Sequence, residues 1–158
     1  MTVYAAGLRL SEATHLKVSD IDGGRMQMRV EQGKGKKDRY VPLSAVLLVQ
    51  LREYWRRYRP GIWLFPNRSE DLPISEGTVQ KVFHRAKKKA RILKPASAHT
   101  LRHSFATYAP KSGVDLFTLQ HLLGHAHIQT TLIYLHLQHS TDRRVVSPPD
   151  RLMEAGDE

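Results

Sequence analysis

His99-Thr-Leu-Arg102 sets an imidazole and a guanidinium three residues apart, hence on one face of a helix or its first turn. Leu101, Phe105 and Tyr108 take the opposite, apolar face. Such a pair on a packed helix suits a phosphate oxygen, because a guanidinium offers a planar fork of donors that matches phosphate geometry. Leu122-Leu123-Gly124-His125 puts a further histidine just beyond a helix stop, and Tyr134 follows nine residues later. Each also has an ordinary role: a surface arginine beside a helix-start histidine, or a packing tyrosine beside the apolar stripe Ile128, Leu132 and Leu135.

The elements that must position these groups are legible as periodicity. Ala13, Leu16 and Val18 suit a short helix over Ser11 to Val18, which Asp20-Ile21-Asp22-Gly23-Gly24 ends with turn chemistry. Met26 to Val30 alternates in a two-residue period, and Arg39 to Leu43 makes a return strand across the basic loop Gly33 to Asp38. Ser44 caps a helix with Leu47, Leu48, Leu51, Tyr54, Trp55 and Tyr58 at helical spacing, stopped by Pro60-Gly61. Gly61 to Pro73 reads as a loop. Ser75 then precedes a helix with Val79, Val82, Phe83, Ala86 and Ala90 on one stripe and a basic opposite face. Thr100 to Tyr108, Leu116 to Leu123 and Ile128 to Leu137 are the closing helices, the middle one stopped by Gly124. The expected fold class is mainly α with a small antiparallel β-sheet, one domain over residues 1–137 followed by a tail, 138–158.

Composition narrows the partner. The 158 residues carry 25 Lys plus Arg against 15 Asp plus Glu, a formal charge of +10, which favours a polyanion such as nucleic acid. With no cysteine, disulfides, thiolate metal sites and cysteine nucleophiles are excluded. No apolar run approaches the roughly 20 residues of a membrane span, and no signal-peptide pattern opens the chain. A cytoplasmic protein without membrane partners is expected.

Gly7-Leu8-Arg9-Leu10-Ser11-Glu12, Gly33-Lys34-Gly35, His99-Thr-Leu-Arg102-His103, Leu123-Gly124-His125 and Thr130-Thr131-Leu132-Ile133-Tyr134 occur in this order. Together these five boxes resemble the tyrosine recombinases, the phage integrase family that includes Xer-type recombinases and integron integrases. The resemblance covers residues 1 to 137. It implies the mainly helical catalytic domain of DNA breaking-rejoining enzymes. It also implies double-stranded DNA as substrate, self-association or a partner recombinase on DNA, and neither metal nor nucleotide cofactor. Carried over by position, Arg9 and Arg102 are phosphate-clamping arginines, Lys34 is the hairpin lysine, His99 and His125 are accessory catalytic groups, and Tyr134 is the nucleophile.

The implied reaction explains the set. A tyrosine hydroxyl with a reference pKa of about 10 is ionised in roughly one molecule in a thousand at neutral pH, so attack on phosphorus needs proton removal or local positive charge. His99 is the candidate for proton exchange, and Lys34 for protonating the departing deoxyribose oxygen. Two arginines and His125 would stabilise the charge growing on the non-bridging oxygens, where each lost donor costs about 2.7–4 kcal/mol. The phosphotyrosine bond conserves the energy of the broken phosphodiester, which suits site-specific exchange or integration without ATP. Contacts with DNA are expected from Lys36, Lys37 and Arg39 at the hairpin and from Arg85 and Lys88, beside Lys87 and Lys89, on the basic helix.

A non-catalytic DNA-binding remnant and type IB topoisomerase-like activity are the competing readings. Nothing in the sequence matches the N-terminal clamp domain of full-length relatives, so an N-terminally truncated catalytic domain is expected. Pro110 is expected to kink or end its helix early, because proline removes a hydrogen bond and clashes with the preceding turn.

Overall fold

The computed structural model describes residues 1–31 and 38–134. Its elements run α1 (Thr2–Ala6), α2 (Leu10–Thr14), a 3-10 turn (Val18–Asp20), β1 (Ile21–Asp22), β2 (Gln27–Val30), β3 (Arg39–Pro42), α3 (Ala45–Tyr58), α4 (Glu76–Lys89), α5 (Ala98–Lys111), α6 (Leu116–Leu123) and α7 (Gln129–Leu132). The strands form one antiparallel sheet in the order β1-β2-β3, with Met28 opposite Val41 and Val30 opposite Arg39. The segment Asp20 to Gly24 thus contributes a strand as well as the expected turn.

Alternation decides which residues of the sheet enter the core. Met28, Val30 and Val41 are buried, and the same period of two turns Arg39 inward beside Val41. Leu47, Leu48 and Leu51 of α3 join Leu8, Ala13, Leu16, Leu64 and Leu122 over them. Ser44 starts α3 by accepting from the Leu47 N–H at 3.1 Å. The outer turns of α3 leave the core: Trp55 and Tyr58 are exposed, with Arg59 over the Trp55 ring at 4.2 Å.

Three expectations are corrected. α4 buries no residue completely; Val79 and Phe83 are half-buried, while Val82, Ala86 and Ala90 of the expected stripe are exposed. α5 continues through Pro110 to Lys111. Proline falls in its last turn, where it forgoes its own bond to the Ala106 carbonyl, and it is buried there. Beyond it, Ser112 and Val114 donate back to Tyr108 and Ala109, which closes the helix. α7 is a single turn whose buried face runs through Thr131 and Tyr134 rather than Ile128 and Leu132; Leu135 and the tail lie outside the described residues.

Candidate active site

Three arginines from three elements meet at one carboxylate. Glu12, in the first turn of α2, accepts from the Arg9 backbone N–H at 2.7 Å and from Arg9 Nη1 at 2.8 Å. Arg39 from β3 grips the same carboxylate with both terminal nitrogens, at 2.9 and 2.8 Å. Arg102 Nη1 stands 3.8 Å away. Burial alone would raise the Glu12 carboxyl, but the Arg39 hydrogen bonds, the Arg9 N–H and the Arg39 charge outweigh it and hold the pKa at about 2.

The other ends of the same guanidiniums cap α6. A helix leaves its last carbonyls without intrahelical partners and carries partial negative charge there. Leu122 O accepts from Arg39 Nε at 2.9 Å, Leu123 O from Arg102 Nη2 at 2.7 Å, and Gly124 O from Arg9 Nη2 at 2.8 Å. Like charges are therefore held side by side between a carboxylate and a dipole end. Burial, then the charge of Arg9, lowers the Arg102 pKa to about 10, so it stays cationic at neutral pH. Arg9 keeps 39% of its side chain exposed and Arg102 only 5%; Arg9 is the one open to an approaching anion.

Gly124 ends α6 with φ 61°, and this left-handed turn sends His125 back over the arginines. Its Nε2 lies 3.1 Å from Arg102 Nη2, and its Nδ1 lies 2.9 Å from Thr131 Oγ1. Burial first, then the charges of Arg102, Arg9 and Arg39, push its pKa down to about 4, so the ring is neutral at pH 7. Tyr134 packs among Ala106, Ala109, Leu119 and Leu123 of α5 and α6. Its ring lies 5.4 Å from that of His103, and it interacts electrostatically with Arg102.

Arg9, Arg102, His125 and Tyr134 are thus brought together. His99 is exposed on the first turn of α5, one turn before Arg102 and His103 on the same helix. Lys34, Lys36 and Lys37 lie outside the described residues. Arg85 and Lys88 are exposed on α4. Arg39 corrects an expectation: it is 2% exposed and tied to Glu12 and Leu122, so it braces the site and offers no surface donor to DNA. The alternation that turns Val41 and Leu43 inward also carries Arg39 inward, a signal present in the strand pattern. Sequence reasoning left Glu12 and Thr131 without roles. Glu12 had a signal, being an acid at the third helical position after Arg9.

Gly7 fixes Arg102 from the other side. Its carbonyl accepts from Arg102 Nη1 at 2.8 Å. It has φ 63°, and an added Cβ would stand 2.4 Å from Phe105 Cδ1. Gly7→Ala is therefore expected to cost about 2 kcal/mol or more, from the left-handed backbone and the overpacking together. Urea unfolding checks this; a variant as stable as the parent would show that this backbone position is not held.

Two apolar clefts of about 400 and 290 Å³ open elsewhere, one beside Leu48 and Trp55, one between Val3 and Phe83. Neither is lined by these site residues. Among the described residues no group of three or more His, Asp or Glu is placed to hold a metal ion, and no helix is long and apolar enough to cross a membrane.

Known proteins share this arrangement of elements. The chain is 42% identical over 135 residues to a tyrosine recombinase of Thermosipho africanus, spanning 85% of this chain and 47% of that protein. A Sinorhizobium fredii protein carrying an integrase/recombinase name is 51% identical over 136 residues, 86% of this chain and 44% of its own. The crystal structure of the XerA recombinase superposes with a TM-score of 0.76 at 31% identity, covering 89% of this chain and 55% of XerA. The chain thus spans about half the length of the relatives it matches. The model of the phage integrase family matches residues 1–141, most of the sequence and every described site residue, and the chain belongs to that family.

Proposed function

We propose that residues 1–137 form the catalytic unit of a site-specific DNA recombinase that cuts and rejoins double-stranded DNA through a 3'-phosphotyrosine. The observation that carries this is the convergence of Arg9, Arg102 and His125 in one network with Tyr134 docked beside it. Tyr134 Oη forms a bond to phosphorus as the bond to the 5'-oxygen breaks. Arg9 and Arg102 neutralise the non-bridging oxygens. His99 exchanges the tyrosine proton, and Lys34 protonates the leaving oxygen. Arg85, Lys88, Lys36 and Lys37 contact the backbone phosphates. A second copy or a partner recombinase supplies the other strand's cut, in the cytoplasm. The XerH recombinase, crystallised with its difH substrate after cleavage, is similar to this chain at 29% identity and a TM-score of 0.76, which supports DNA as the substrate.

A nicked suicide duplex tests the proposal, because loss of the short 5'-ended fragment traps the intermediate. Incubation is expected to yield a denaturation-resistant adduct, mapped by peptide sequencing to Tyr134. Salt-dependent DNA binding with no adduct on any suitable site would leave only a DNA-binding module and overturn the catalytic reading.

A further inference from the structure

Thr131 is fully buried and bonded on both sides of the site. Its hydroxyl meets His125 Nδ1 at 2.9 Å, and its carbonyl accepts the Tyr134 N–H at 3.0 Å. The other ring nitrogen of His125 faces Arg102 Nη2 at 3.1 Å. A guanidinium only donates, so Nε2 accepts there, and the neutral ring must carry its proton on Nδ1 and donate it to Thr131 Oγ1. That tautomer has no Nε2–H with which to bind a phosphate oxygen.

A hydroxyl is both donor and acceptor and rotates to suit its neighbour. We infer that Thr131 is a positioning residue that lets His125 change tautomer: its hydroxyl accepts from Nδ1–H while Arg102 donates to Nε2, and donates to Nδ1 once Nε2–H engages a phosphate. In the exchange Nδ1 releases one proton and Nε2 takes one up through solvent, and the ring stays neutral. The charged groups around the ring are Arg102 from α5, Arg9 and Glu12 from the α2 end, and Arg39 from β3; the three cations together disfavour the alternative of a doubly protonated imidazolium. Because the Thr131 carbonyl holds the Tyr134 backbone, the same residue ties the ring's orientation to the docked tyrosine.

The second half of this inference rests on the proposed DNA chemistry; the first does not. Ring nitrogen NMR of histidine-labelled protein, with His125 assigned by its loss in His125→Asn, reads the tautomer. The DNA-free protein is expected to show Nδ1–H, and Tyr134→Phe bound to duplex DNA to show Nε2–H. Thr131→Val is expected to lose the fixed tautomer and slow adduct formation by about tenfold to a hundredfold, the range that small misplacements cost. Thr131→Ser is expected to restore both. An Nε2–H tautomer in the DNA-free protein, or Thr131→Val matching the parent in ring shifts and rate, overturns the inference. If Thr131→Val does not fold, the DNA-free spectrum and Thr131→Ser still decide it. Absence of any adduct from the parent would remove the proposed function and leave the DNA-free tautomer to be judged by itself.

Discussion

Tyr134→Phe is expected to form no denaturation-resistant adduct with DNA while folding, melting and binding DNA as the parent does. The ring is what Ala106, Ala109, Leu119 and Leu123 enclose, and phenylalanine keeps that ring, so packing survives the exchange. Only the oxygen is lost, and the His103 ring, 5.4 Å away and tilted at 51°, keeps its contact with the phenylalanine ring. Gel analysis after suicide-substrate incubation, with binding measured in parallel, separates the two effects. An adduct formed by the phenylalanine variant would show that another residue attacks, and the assignment of Tyr134 would fall.

The second large effect concerns Glu12. Glu12→Gln keeps the shape of the side chain but leaves Arg9, Arg39 and Arg102 without their shared counter-charge, and removing one partner of a buried ion pair costs about 3–5 kcal/mol. The parent also predicts a pH signature. The folded carboxyl sits at about 2 against an ordinary 4.5, so the stability it contributes is present above about pH 4.5 and is lost as pH falls toward 2, about 3 kcal/mol in all. His125 acts in the same direction at higher pH. Its folded value of about 4 lies below 6.5, so the unfolded chain takes up a proton that the folded site refuses, and stability declines between those limits. Urea unfolding at pH 7, 5 and 3 checks both. Glu12→Gln should lose the lower step and keep the upper one; an unchanged lower step would place the acid sensitivity elsewhere.

What the sequence revealed of this site follows the range of each signal. The end of α6 was legible because a glycine after an apolar helical run marks a left-handed stop, and Gly124 adopts it. The hairpin was legible from alternation, and Ser44 from its capping chemistry. Pro110 misled because the local rule prices a proline in mid-helix, whereas here it sits in a closing turn buried by tertiary packing. Arg39 departs from expectation because its charge points to the surface while the strand period turns it inward. Thr131 gave no signal, since its bond to His125 depends on a loop folding back across six residues and not on any helical spacing.

The capped end of α6 also sets where the chain tolerates change in length. Successive carbonyls on a helix turn by about 100° and climb about 1.5 Å per residue, and the left-handed Gly124 swings the next one aside, so Leu122, Leu123 and Gly124 fan out in three fixed directions, each matched to one guanidinium. One residue inserted or deleted between Asp115 and Gly124 would rotate that fan and misalign all three at once. The same edit in the loop between α3 and α4 touches none of these partners. The helix is a ruler for the site: the register of its C-terminal carbonyls, and not its solvent face, is what the three arginines engage.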